Sequence, residues 1–387
     1  MTDQDRPRVI QMNDDSNLYY SYCHTERPTG ADLEDMVDIF ARQNIDTLTQ
    51  CVHCRWQAFY DSRVVEIAGD LTPEAVKPWE HVHYWQWLTC LQRLIAEGND
   101  PPKVLAEACH RRKMRFLPSF RLNDQHGMHP HEGQYGSFRR DHPEWCIKGP
   151  GRHAFNWRHP EVGAERLVLI EEAVSRYDLD GFEIDWCFYP SYFEQGEARG
   201  KAPILTNFMR QVRGVVESAA ERRKRPIALG ARVLPTLEGN LDAGLDVPAW
   251  TSEGLLDFLV PAIYGDRHMD MDLPFEWLLG LTQNSGCEVY PALQDRVRSV
   301  NTSGLWQQNR QVKEHTASVE HYRAGAASYW SKGADAIYLP WFNWPVGADE
   351  CLALSEIHDP DLLRAKPKHY LTSVICGEEG QSHSAQL

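Results

Sequence analysis

The stretch Asp178-Leu179-Asp180-Gly181-Phe182-Glu183-Ile184-Asp185-Trp186-Cys187-Phe188-Tyr189-Pro190 reads as a strand that ends in carboxylates. Side chains alternate along a strand, so Glu183 and Asp185 share one face while Phe182, Ile184 and Trp186 take the other. The apolar face suits packing beneath a helix. The acidic face then looks into whatever the strand helps to build. Two carboxylates this close are expensive to bury together, because like charges repel in a low-dielectric site. Such a pair is either neutralised by a cation or used for proton chemistry. Asp180, at the head of the run, is expected to shape the turn into the strand.

Outward from this run, strand and helix patterns alternate. Strand candidates are Val9 to Met12, Ile45 to His53, Met114 to Arg121, the acidic run, Ile227 to Val233, Leu256 to Tyr264, Glu288 to Gln294 and Asp335 to Trp341. Helical spacing separates them, as in Leu33, Met36, Val37 and Phe40, or across Glu161 to Tyr177. Eight βα units with near-continuous apolar strands predict an α/β fold, a closed (β/α)8 TIM barrel with its site at the carboxyl ends of the strands. An open doubly wound sheet would want a glycine-rich phosphate turn, and the chain has no GxGxxG or Walker pattern. The barrel is expected over residues 1–358. Residues 359–387 read as a partly disordered extension in which Lys366 to Cys376 could form one strand. Two long connections, Asp61 to Glu80 and Asn123 to His159, are expected on the catalytic face.

Composition narrows the partners. The chain has 387 residues, 42% of them hydrophobic, which is ample for one large core. A formal charge of −15 argues against nucleic acid and anionic membrane as main partners. The opening residues show no secretory pattern and no apolar run is long enough to span a bilayer, so a cytoplasmic protein is expected. The cysteines lack a framework spacing and read as reduced thiols. Cys51-Val52-His53-Cys54 has the CxxC spacing without a partner pair, which favours structural thiols over a metal site. The tryptophans divide between packing and a possible role in stacking on sugar rings. The oligomeric state is left open.

The strand ends carry the candidate site. Strand one offers Asn13, Asp14 and Asp15; strand two, His53; strand three, Arg121, Asn123 and Asp124; strand four, Glu183 and Asp185; strand five, Arg232. Strand six offers Tyr264 and Asp266, strand seven Gln294 and Asp295, and strand eight Trp341, Asn343 and Trp344. Carboxylates, Arg, Tyr and Trp on one rim of an apolar barrel form a mixture suited to sugars. His126, His129 and His131 form an HxxHxH cluster in the third loop, open to metal binding, substrate contact or simple solvation.

The run Asp180 to Pro190 (DGFEIDWCFYP) resembles the fourth strand of glycoside-hydrolase barrels. Family-18 chitinase-like enzymes carry DGxDxDWE here, whereas this chain has Cys187 where they place an acid glutamate. ALGARV (228–233), LVPAIYGD (259–266) and LPWFNW (339–344) are closer to family-10-like glycoside hydrolases. That resemblance runs roughly from residue 8 to 360. It implies cleavage of a glycosidic bond in a short or modified saccharide by paired carboxylates, without a cofactor or metal. Such chemistry needs an acid for the leaving oxygen and a carboxylate for the positive anomeric carbon. Asp185 suits the nucleophile or charge stabiliser, kept ionised by Arg232 on the next strand. Glu183 lies a layer deeper, either catalytic or paired internally with Arg232. Asp266 and Asp295 are the candidate acids. Asn13, Asp14, His53, Arg121, Asn123, Arg232, Tyr264, Gln294, Trp341 and Asn343 are the expected substrate contacts. The alternatives are a metal-dependent lyase or isomerase on a sugar-like substrate, and a sugar-binding barrel without catalysis.

Overall fold

A computed structural model describes residues 9–13, 28–70, 82–124, 136–148, 154–263, 267–300, 312–340 and 345–371. Its centre is a ring of parallel strands: β1 (Val9–Asn13), β2 (Thr47–Cys54), β3 (Arg115–Arg121), β4 (Gly181–Asp185), β5 (Ala228–Val233), β6 (Phe258–Pro261), β7 (Glu288–Val289) and β8 (Ile337–Leu339). Neighbours in sequence are neighbours in the sheet, and β8 returns to pair with β1. A bridge between Ala292 and Tyr338 closes the ring, reinforced by the Leu293 N–H donating to the Tyr338 carbonyl at 2.7 Å. The expected (β/α)8 barrel is therefore present, with each strand close to its anticipated place.

The lower end of the barrel is built on a repeated device. Just before each even-numbered strand stands an aspartate whose carboxylate accepts a backbone N–H from the preceding strand. Asp46 takes the Val9 N–H at 3.1 Å, Asp180 that of Phe116 at 2.9 Å, Asp257 that of Leu229 at 2.7 Å and Asp335 that of Val289 at 2.8 Å. In three of the four, the aspartate's own carbonyl accepts from the following strand, at Arg115, Ala228 and Glu288. The barrel thus repeats as four strand pairs, each stitched by one aspartate. Asp180 fills the turn role expected of it. Asp335→Ala is expected to cost about 1–3 kcal/mol, the price of orphaning a buried strand N–H. Urea unfolding checks this, and a variant of parental stability would show the stitch to be dispensable.

Outside the ring, apolar strand faces meet helices. Behind β4, Trp186 packs with Trp157, Tyr192, Phe208 and Trp250, with ring centroids 5.2–5.9 Å from its own. Trp56, Trp87, Trp157, Trp186 and Trp250 are all buried, so packing accounts for them. Inside the ring, Gly230 leaves room for the Phe258 ring, which a β-carbon there would meet at 2.0 Å.

Two expected connections are described in part. Of the segment after β2, residues 55–70 are described and residues 71–80 lie outside the described residues. The described part folds back along β2 at Gln57–Ala58 and then runs to the last turns of helix Pro160–Arg176. There Glu172 collects Tyr60 Oη at 3.0 Å, Ser62 Oγ at 2.7 Å and the Arg63 N–H at 2.7 Å, while Asp61 pairs with Arg176. At the other end, Asp359 caps a further helix, Pro360–Arg364, and residues 366–371 form no strand, while residues 372–376 of the expected strand lie outside the described residues. This tail lies on the barrel through Lys366 to Glu356 and the His369 N–H to the Glu320 carbonyl. No helix among the described residues is long and apolar enough to cross a membrane.

Candidate active site

Parallel pairing places Arg121, Asp185 and Arg232 side by side at the carboxyl ends of β3, β4 and β5. One layer deeper stand Ser119, Glu183 and Gly230. The inward row of β4 is thus the acidic one, as its alternation predicts. Asp185 Oδ1 accepts the N–H groups of Cys187 and Phe188, both at 3.0 Å. Its Oδ2 faces Arg232 Nη1 at 3.1 Å and Arg121 Nε at 3.7 Å. Glu183 Oε1 accepts from Ser119 Oγ at 2.8 Å and Arg232 Nη2 at 2.7 Å. Arg232 Nη2 also donates to Tyr338 Oη on β8 at 2.8 Å.

Arg232 is therefore one cation shared by two carboxylates. Burial works against its charge, but Asp185 and Glu183 outweigh burial and hold the guanidinium well above its ordinary value. Arg121 stands differently. Burial lowers it, opposed by Asp124 and Asp185. Its guanidinium lies 3.6 Å from the Phe188 ring centroid, a cation–π contact. Asp185, Glu183 and Arg121 are all buried.

Several expected contributors are used elsewhere. His53 lies beyond a β-bulge between Cys51 and His53, which brings it into register with Phe120, a helix-facing residue, instead of the inward-facing Arg121. One extra residue turns a side chain to the other face. Its Nδ1 sits 2.9 Å from the Arg121 carbonyl and its ring meets Arg166 of helix Pro160–Arg176. Burial, then Arg166, pushes it well below the usual histidine value. Asn123 is consumed by the backbone, accepting the Phe155 N–H at 3.0 Å and donating to the carbonyls of Phe155 and Ser191. Asp295 is held on both oxygens by Arg267. Glu183 makes the internal pair with Arg232 foreseen as its other reading. Gln294 is buried and donates to the Ile263 carbonyl at 3.2 Å.

Cys187 Sγ donates to the Ala262 carbonyl at 3.1 Å, and burial pushes the thiol up, so it stands as a neutral donor. Cys51 and Cys54 are buried thiols, not joined in a disulfide. The backbone of Asn13 closes β1. Asp14, Asp15, Tyr264, Asp266, Trp341, Asn343, Trp344 and the histidines His126, His129 and His131 lie outside the described residues. Among the described residues, no group of three His, Cys, Asp or Glu could hold a metal ion. Sequence reading missed Tyr338 and Ser119. Both sit on inward positions of their strands, and that periodicity could have found them.

Residues 13–203 match the family described as Glycosyl hydrolase-like 10. The chain is 23% identical to glycosyl hydrolase YngK from Bacillus subtilis (strain 168) over 261 residues, covering 56% of this chain and 48% of that protein. It thus spans about half the length of the curated relative it matches. Among solved structures, it is similar to alpha-L-fucosidase isoenzyme 2 from Paenibacillus thiaminolyticus, at a TM-score of 0.53 and 12% identity, over 91% of this chain and 49% of that one. The PgaB (BpsB) glycoside hydrolase domain from Bordetella bronchiseptica is similar at a TM-score of 0.53 and 12% identity, over 91% of this chain and 99% of that domain. At such identities the structural likeness is one of fold. The resemblance carried by the strand-four run is thus matched by a glycosyl hydrolase-like family segment that contains it.

Proposed function

We propose that this barrel hydrolyses a glycosidic bond in a short or modified saccharide, with Asp185 as the nucleophile or charge stabiliser. The observation that carries the reading is the state of Asp185. It stands at the carboxyl end of β4, its Oδ1 held by two backbone N–H groups and its Oδ2 beside Arg232. A carboxylate fixed in this way is set to meet positive charge developing at an anomeric carbon. Arg232, anchored below by Glu183 and Tyr338, orients it.

The test is turnover of a panel of 4-nitrophenyl and 2,4-dinitrophenyl glycosides, run beside calorimetric binding of the free sugars. Turnover on at least one glycoside is the expected result. Binding without turnover would make the barrel a sugar-binding protein. Two carboxylates suffice for the chemistry, so treatment with EDTA is expected to leave turnover within about twofold. Loss restored by a divalent metal would favour a metal-dependent lyase or isomerase.

A further inference from the structure

Beside the carboxylate row lies a second buried pair, and it reaches the site through the backbone. The β2–β3 register ends at His53 and Phe120, one residue short of Arg121. The Arg121 carbonyl accepts from His53 Nδ1 at 2.9 Å. A carbonyl only accepts and a guanidinium only donates, so the two neighbours of this ring fix its state. Nδ1 carries the proton toward Arg121. Nε2 presents its lone pair to Arg166 Nη1, which lies closer to it than to Nδ1. Burial, then the Arg166 charge, keeps the ring neutral against the opposite pull of the Arg121 carbonyl and Asp124.

Arg166 is itself held. It is fully buried on helix Pro160–Arg176, and Glu165 accepts from its Nε. Its guanidinium lies 4.0 Å from the Trp56 ring centroid. Trp56 follows Arg55 in a two-residue turn after β2, with φ of 65° and 54° respectively. That left-handed backbone is unfavourable for side chains of this size, so the turn depends on its surroundings. Trp56 stacks on Phe138 at 5.6 Å and meets Phe155 edge-on at 4.2 Å. Gly136 passes so close that a β-carbon on it would meet the Trp56 carbonyl at 2.8 Å. One buried cation therefore serves the end of β3 through His53 and the loop after β3 through Trp56.

We propose that His53 and Arg166 are positioning residues, which together hold the end of β3 so that Arg121 stands beside Asp185. The catalytic consequence rests on the glycosidase reading above. Arg121 and Asp185 are register partners, with Arg121 Nε 3.7 Å from Asp185 Oδ2. A guanidinium at that distance acts on the carboxylate through its charge, and the effect depends on where the backbone carries it. His53 supplies the placement and Arg166 supplies the tautomer. Without Arg166, Nε2 is free to take the proton, and Nδ1 then faces the Arg121 carbonyl lone pair against lone pair. The bulge in β2 thus turns an imidazole out of the barrel and toward the strand that carries Arg121.

Two variants separate hydrogen bonding from bulk. His53→Leu fills the space without a donor or acceptor, whereas His53→Gln keeps one of each. Kinetics are measured on folded samples with the 4-nitrophenyl glycoside that the parent turns over fastest. His53→Leu is expected to lose about 10²-fold in kcat with KM within about threefold, the mark of misplaced groups and not of weakened binding. His53→Gln should recover to within about tenfold of the parent. Arg166→Met combined with His53→Leu should lose no more kcat than the worse single, because the two act in series. Parental kcat in folded His53→Leu, a Gln variant as slow as the Leu variant, or multiplied losses in the double would each overturn the proposal. Nitrogen NMR of the parent reads the pair without substrate. One imidazole, absent in His53→Gln, should hold its proton on Nδ1 and not titrate between about pH 5 and 8. A proton on Nε2, or titration in that range, would overturn the assignment even if His53→Leu does not fold. A parent that turns over no glycoside overturns the glycosidase reading instead. Positioning is then decided by the Arg121 Nε–H cross-peak, which should move in His53→Leu and return in His53→Gln; an unmoved peak would overturn it.

Discussion

Asp185→Asn should lower kcat by on the order of 10³-fold or more, about 4 kcal/mol, while leaving a folded barrel. The substitution keeps shape and removes the charge that, in the proposed mechanism, meets the anomeric carbon. Its folding cost comes from hydrogen bonding. If the Asn oxygen accepts the N–H groups of Cys187 and Phe188, its amide nitrogen must face the Arg232 guanidinium, donor against donor. The reverse orientation sets that nitrogen against the two N–H groups instead. Either way one buried contact is lost, about 1–3 kcal/mol. Removing one carboxylate from a pair relieves repulsion in partial compensation, and Arg232 keeps Glu183 and Tyr338 as partners. Turnover and melting are measured on the same sample. A folded Asp185→Asn with near-parental kcat would remove Asp185 from the chemistry.

The barrel was legible because its signal is periodic. The alternation in Phe182 to Trp186 assigns two faces to β4, and the row of Arg121, Asp185 and Arg232 follows once adjacent strands end at the same height. What the sequence hid was irregular or partner-dependent. Nothing in Cys51-Val52-His53-Cys54 announces the bulge that turns His53 toward Arg166. Nothing beside Asp295 announced Arg267, its clamp, which comes from the loop after another strand, 28 positions away. Asn123 looked available, although its amide was spent on Phe155 and Ser191. The aspartate stitches were different in kind. Asp46, Asp180, Asp257 and Asp335 stand one or two residues before alternate strands, a spacing open to view in the sequence. Only the barrel ring shows what it is for.

Replacing Arg232 should be the largest single blow to stability. Arg232→Met leaves a side chain of similar length with no charge, so packing is nearly kept. Glu183 and Asp185 are then buried two residues apart without the guanidinium they shared at 2.7 and 3.1 Å. Breaking a buried pair by removing one partner costs about 3–5 kcal/mol, and here one partner serves two carboxylates. Tyr338 Oη also loses the donor it has at 2.8 Å. Arg232→Lys should fall between, because a point charge cannot fork to Glu183 and Asp185 at once. Coupling is the sharper measurement. If the shared cation is the cause, Arg232→Met combined with Glu183→Gln should lose less than the sum of the two singles, since the second change removes a charge the first had stranded. Strict additivity in urea unfolding, or an Arg232→Met variant of parental stability, would mean that these carboxylates are balanced by some other group. The orientation of Asp185 would then have to be explained by the Cys187 and Phe188 N–H groups alone.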